Sequence, residues 1–308
     1  MLNIQKDISL KEHTTFDIGG KARYFIKVES IEDIQEAVKF AKDNNLDYFV
    51  LGGGSNVLIS DDGFDGVIIK MAIKAITLQG GEMMCGAGVE LMDLLMFASE
   101  NSLSGGENLT GIPGTVGGAI RGNAGAFGTE MKDIVKEVYA LDLDSGETLI
   151  LDNAKCEFEY RNSLFKRKPQ YIIVNSVLRF NPGKIKDIEL IMYNTIAKRN
   201  SKQIQGIKSA GSFFVNPVVG EKIQKIFEQD TGNKSRNNRV PAGWILEFCN
   251  LARKRIGDIQ AGIQHANYFI NMDEGTAEQA VQLATLAKTR ARDEFDVQLK
   301  EEVVMVGF

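Results

Sequence analysis

The chain has 308 residues, enough for two or three cores of ordinary domain size, and its 44% hydrophobic and 25% charged residues are the balance of a soluble globular protein. A net charge of −5 argues against a protein-wide affinity for nucleic acid or for an anionic membrane surface. No segment approaches the roughly 20 apolar residues of a membrane span, and residues 1–7 lack the apolar run of a signal peptide, so a cytoplasmic protein with no membrane span and no nucleic-acid partner is expected.

In chain order, residues 22–28 alternate as a strand does. Ser30 then reads as an N-cap, followed by Ile31, Ile34, Ala37, Val38 and Ala41 at helical spacing. A short apolar strand, 48–51, runs into Gly52-Gly53-Gly54-Ser55-Asn56, and strands 57–59 and 67–69 flank the turn Asp61-Asp62-Gly63. A helix is expected over about 89–101, with Met83, Met84 and the run Leu91, Met92, Leu94, Leu95, Met96 as core packing. A hairpin follows, 135–143 and 147–151, turning at Asp144-Ser145-Gly146, and then a strand over 171–180. After Asn181-Pro182-Gly183 the pattern becomes mainly helical: 185 to about 202 as a polar-faced connector, then 219–229, 242–248 and 275 to about 295, with strands near 266–270 and 303–306. The fold class expected is α+β, with a first domain over 1–190 and a second over 191–308. Cys85, Cys156 and Cys249 are odd in number and far apart, and His13 and His265 are the only histidines; no disulfide framework and no metal site are expected.

Glycine, at 31 residues against 5 prolines, is clustered. A strand ending in Gly52-Gly53-Gly54 lets backbone N–H groups approach an anion, and Ser55 and Asn56 add hydrogen-bonding groups. The segment lacks the Gly-Lys-Ser/Thr of a phosphate-binding loop and is not a GxGxxG. A denser stretch carries Gly111, Gly114, Gly117, Gly118, Gly122, Gly125 and Gly128, interleaved with Ile112, Val116, Ile120 and Phe127, too apolar for a linker. An extended ligand lying against such a stretch accounts for its composition, and Gly86-Ala87-Gly88 is a candidate third wall. In an acidic protein, a diphosphate held by backbone N–H groups fits a bound dinucleotide.

Taken together, these segments resemble the UDP-N-acetylenolpyruvoylglucosamine reductases, also called UDP-N-acetylmuramate dehydrogenases. The likeness runs through Thr14 to Gly20, Gly52 to Asn56, Gly111 to Gly128, Tyr160-Arg161-Asn162-Ser163 and Ser209 to Phe214. It continues at Pro241 to Trp244, Lys254 to Gly257 and Glu302-Val303, and so covers essentially the whole chain in order. The resemblance implies a PCMH-type FAD-binding half and a smaller α+β substrate-binding domain whose C-terminal strand, 299–307, returns toward the flavin. It also implies a reaction in which NADPH reduces non-covalent FAD, which in turn reduces UDP-N-acetylglucosamine enolpyruvate to UDP-N-acetylmuramate, a peptidoglycan precursor. The short interval between Arg161 and Ser212 matches the branch without an extra tyrosine-bearing loop.

Carried over by position, Gly52, Gly53, Gly54, Ser55, Asn56, Gly111, Pro113, Gly114, Gly117, Gly118, Ala119, Asn123 and Gly125 would hold FAD. Arg161 matches the arginine that meets the substrate carboxylate, Ser212 the proton donor, and Glu302 the glutamate working with the arginine. Glu301 stands beside Glu302, and adjacent residues of a strand face opposite ways; Glu302 is chosen because Val303 follows it. Asn216, Lys254 and His265 would contact substrate, while Trp244 reads as core and His13 as structural. Two positions depart from the pattern, Val215 and Ala252, where lysines are usual. They motivate a rival reading as a UDP-sugar-binding protein without chemistry; a PCMH-type flavin oxidase is the other rival, and the absence of histidine from 52–56 favours non-covalent FAD.

Overall fold

The computed structural model describes residues 2–202 and 206–308. The chain forms two compact units that are not contiguous in sequence: unit 1 comprises 1–8, 22–53 and 65–200, and unit 2 comprises 9–21, 54–64 and 201–308. A linear boundary at 190 thus leaves out two early segments that join unit 2. The reason is pairing: strand Val57–Ile59 lies parallel to Val304–Val306, with Val57 opposite Val304, and Thr15 exchanges backbone hydrogen bonds with Ser209 and Gly54.

Among the described residues, unit 1 holds two larger sheets, two short two-stranded ladders (Gly125–Ala126 with Thr129–Glu130, and Leu103–Ser104 with Asn181–Pro182) and five α-helices: α1 (Ile31–Asp43), α2 (Leu91–Glu100), α3 (Val116–Arg121), α4 (Leu164–Arg167) and α5 (Ile185–Lys202). Ser30 caps α1, its hydroxyl accepting from Asp33 N at 3.1 Å, and Ile34, Ala37, Val38 and Ala41 turn inward from it. The first sheet orders Ile4–Ser9, Lys21–Val28, Phe64–Met71 and Tyr48–Leu51, the last two parallel. The second is antiparallel, in the order Thr148–Asp152, Val135–Asp142, Tyr171–Arg179, Glu82–Gly86 and Ile76–Gln79. The core between these elements is built on residues such as Ile26, Val67, Leu94, Val138 and Val174.

Two methionines read as core are not. Met83 is buried, but Met84, the next residue of the same strand, is 42% exposed, as alternation requires. Met96 is 43% exposed on the outer face of α2.

Unit 2 packs α6 (Glu221–Thr231), α7 (Ala242–Phe248) and α8 (Ala277–Phe295) around a second core. An antiparallel ribbon of Arg255–Ile256, Ile259–Ala261 and Phe269–Asn271 contributes Ile259, Ala261 and Phe269 to it. Trp244 belongs to that core: its ring meets Phe227, Phe248 and Phe295, and its Nε1 donates to Asp230 at 2.7 Å. Among the described residues, no helix is long and apolar enough to cross a membrane.

Candidate active site

In unit 1 the strand Tyr48–Leu51 delivers Gly52 and Gly53 against the turn that starts α3. A Cβ at Gly53 would lie 2.6 Å from Gly114 Cα, and one at Gly52 would lie 2.6 Å from Thr115 Oγ1. Gly114 itself has φ +103, a backbone region that disfavours side chains. Thr115 caps α3 by accepting from Gly118 N. The 86–89 segment abuts the same turn, with Val116 N and Gly117 N donating to Val89 O and Ala87 O at 2.8 and 3.0 Å.

Lys70 was not singled out from sequence. Its ammonium hydrogen-bonds the Gly52 carbonyl, fixing the loop from behind, and burial lowers its pKa.

The glycines of this region divide into two kinds. Those at 52, 53, 117 and 125 are required by the protein's own packing. At Gly118 and Gly122, an added Cβ would meet nothing closer than 3.5 and 3.6 Å. Among the described residues, no packing contact accounts for glycine at these two. Elsewhere in unit 1, the buried Thr110 Oγ1 and Glu107 Oε1 have no hydrogen-bond partner among the described residues.

Asn123, by contrast, is fully buried and committed within the protein. Its amide donates to Glu130 at 3.0 Å and to Glu159 O at 2.9 Å, and its Oδ1 accepts from Lys132 N. Its side chain ties the loop together and is not an open donor. Arg161 follows that tie. It sits at φ 55, a left-handed conformation unfavourable for a branched-chain-free but bulky residue by about 1–3 kcal/mol. Its Nη2 donates to Gly125 O at 2.9 Å, and its guanidinium lies 5.2 Å from the Tyr160 ring.

In unit 2 the structure brings Ser212, Glu302 and Asn56 onto neighbouring strands. Phe213 N donates to Asn267 O at 2.7 Å, Glu302 N to Phe213 O at 2.8 Å, and Val215 N to Lys300 O at 3.0 Å. The Asn267 side chain clasps Phe214 through both its atoms. Asn56 Nδ2 donates to Glu302 O at 3.2 Å, and Val304 N to Asn56 O. Gly54 must be glycine, since a Cβ would lie 2.0 Å from His13 O. Glu301 is held by Lys288 of α8 at 2.6 Å.

Of the expected substrate residues, two meet at the first turn of α7. Asn216 Oδ1 accepts from Ala242 N at 2.9 Å, and His265 packs where a Cβ on Gly243 would be, 2.8 Å from its Cε1. Lys254 is exposed, its backbone joined to Leu251 and Ala261. Arg239, missed in the sequence, donates to the Asn216 carbonyl at 2.7 Å and so brings a cation beside the position where Val215 lacks one.

Comparison with known proteins follows the same division. An FAD binding domain family matches residues 22–152, and the UDP-N-acetylenolpyruvoylglucosamine reductase C-terminal domain family matches 202–306. The chain is 34% identical over 306 residues to the UDP-N-acetylenolpyruvoylglucosamine reductase of Solibacter usitatus, spanning 99% of this chain and 97% of that one. The chain belongs to the UDP-N-acetylenolpyruvoylglucosamine reductase family. Reductase 2 of Bacillus cereus is 33% identical over 306 residues, covering 99% of this chain and 93% of its own. The crystal structure of the Thermus caldophilus reductase superposes with a TM-score of 0.80 at 27% identity, covering 99% of this chain and all of that one. Membership makes the chain an FAD-dependent oxidoreductase with a PCMH-type domain. The open space at Gly118 and Gly122 and the orphan Thr110 hydroxyl fit such a cofactor.

Proposed function

We propose that this reductase converts UDP-N-acetylglucosamine enolpyruvate to UDP-N-acetylmuramate with NADPH as reductant, in the cytoplasm, for peptidoglycan synthesis. The observation that supports the assignment of roles is the paired 212–215 and 300–302 backbone, which sets Ser212 and Glu302 on adjacent segments while Glu301 is tied off to Lys288. Gly52 to Asn56 and Gly111 to Gly125 would hold FAD, Asn123 through the shape it gives the loop.

FAD, when bound and once reduced by NADPH, would supply a hydride to the methylene carbon of the enolpyruvyl ether. The protein must then hold the charge that develops at the neighbouring carbon and carboxylate, and must deliver one proton there. The Arg161 guanidinium suits the carboxylate, being planar, bidentate and permanently charged. Ser212 Oγ donates the proton to the carbon, and Glu302 works with the arginine in holding the carboxylate in place. Asn216, held by Arg239 and α7, would meet the diphosphate with its amide nitrogen, with His265 and Lys254 on the substrate side.

Arg239 bears on the rival reading of a binding protein without chemistry, because it supplies a cation next to Asn216 despite Val215. Purified protein should be yellow, bleach anaerobically with NADPH, and regain colour on adding the enolpyruvyl substrate; an oxidase would regain it with oxygen alone, and a binding protein would not bleach. Ser212→Ala should bleach normally and fail to regain colour with substrate. Normal substrate turnover in that variant would sink the proton-donor role.

A further inference from the structure

Arg121 ends α3; its carbonyl accepts from Ser163 Oγ at 2.7 Å, and its guanidinium makes no hydrogen bond or ion pair among the described residues. Its guanidinium has five N–H donors and a permanent charge, and is part-buried. Burial alone pushes it below its ordinary range, with no carboxylate opposing the shift. The acidic groups of the neighbourhood are engaged elsewhere. Glu130 accepts from Asn123 and pairs with Lys132, Glu159 accepts from Asn162, and Glu157 pairs with Arg167 at 2.5 Å. An uncompensated cation withdrawn from water destabilises a fold, so a side chain retained in this state needs another reason.

The surroundings supply one. Segments 121–125 and 159–163 are laced together by three hydrogen bonds: Ser163 to Arg121 O, Asn123 to Glu159 O, and Arg161 to Gly125 O. This places Arg121 in the same part of unit 1 as Arg161, and between Gly118 of α3 and Gly122 that follows the helix, two positions with open space. We infer that Arg121 is a receptor for an oxyanion of a ligand bound by unit 1, a phosphate or carboxylate oxygen that completes its hydrogen bonding. The inference deepens the flavin-site reading given above. The oxyanion comes either from the FAD diphosphate or from a carboxylate or phosphate of an exchanging reactant.

The test uses flavin-stripped protein and two variants, Arg121→Met, which keeps an apolar stem, and Arg121→Lys, which keeps a charge without the planar fork. Removing a part-buried, unpaired cation should leave the urea midpoint of apo Arg121→Met unchanged or higher. One ligand should bind about 10- to 100-fold more weakly. If the source is the diphosphate, FAD affinity falls while riboflavin affinity does not; if it is a reactant, FAD is unaffected and the dissociation constant of NADPH or of the UDP substrate rises. Arg121→Lys should recover part of the loss. Should Arg121→Met fail to fold, Arg121→Lys decides, with the same single ligand weakened several-fold. The inference is overturned if the folded variants bind FAD, NADPH and substrate within about twofold of wild type, or if FAD and riboflavin weaken equally. Wild-type apoprotein that takes up no FAD would instead overturn the flavin site itself.

Discussion

Gly118→Ala separates a glycine kept for the protein from one kept for a ligand. Gly118 lies inside α3, where alanine is favoured over glycine by about 0.5–1 kcal/mol. Its new methyl would find only Thr115 Oγ1, at an ordinary 3.5 Å. The apoprotein should therefore gain up to about 1 kcal/mol. If FAD lies over this turn, the methyl occupies the space the cofactor needs, and a clash of about 1.5–3 kcal/mol weakens FAD about 10- to 100-fold. Gly53→Ala is the contrasting variant: its methyl would lie 2.6 Å from Gly114 Cα, backbone that cannot swing aside, so the apoprotein itself should lose about 1–3 kcal/mol. Urea unfolding of flavin-stripped protein reads the first quantity, and quenching of flavin fluorescence on titration reads the second. A Gly118→Ala protein that binds FAD within about twofold of wild type would refute the placement of the cofactor over α3.

Glu301→Gln and Glu302→Gln should divide cleanly. The first breaks a part-exposed ion pair to Lys288 and lowers stability by about 0.2–1 kcal/mol with little effect on turnover; the second should spare flavin reduction and slow reoxidation by the enolpyruvyl substrate, measured by stopped-flow absorbance, and equal rates for the two would contradict the assignment. Burial raises the thiols of Cys85, Cys156 and Cys249 to about 12 from an ordinary 9.0. Below pH 9 both folded and unfolded chains keep these protons; between pH 9 and 12 only the unfolded chain releases them, so stability falls as pH rises, by up to about 1.4 kcal/mol per pH unit per thiol. Cys85→Ala should make that alkaline loss shallower in urea melts, and an unchanged slope would count against it. At pH 8 the native thiols should resist a thiol reagent that labels all three after unfolding.

Much of this was legible because local signals agree with the fold. The Ser30 cap, the periodicity of α1 and the limits of α7 stand in the structure where the residues put them. Helix α3 was hidden because Gly117 and Gly118 are poor helix formers; what makes it helical is the Thr115 cap and the contacts of Val116 and Gly117 with 87–89, neither of which has a local pattern. Strands Ile76–Gln79 and Glu82–Gly86 were missed, since Gly80-Gly81 between them is brief and only Met83 and Cys85 of the second carry buried side chains of any size. At the site, motifs named Arg161, Ser212 and Glu302, but the roles of Lys70, Arg121 and Arg239 lie in what their side chains meet, or do not meet, in three dimensions. Asn123 shows the converse: a residue inside a ligand-binding motif whose side chain serves the loop.

The pairing of Val57–Ile59 with Val304–Val306 also bears on how the chain is made. Synthesis runs from the N-terminus, so Phe16, Ile18 and Leu58 emerge long before Phe213, Trp244 and Leu283, the residues they are buried with in unit 2. Nearly all of unit 1 is available by residue 200 and can fold while translation continues. The core of unit 2 that buries those three side chains can be completed only once the later segments are made.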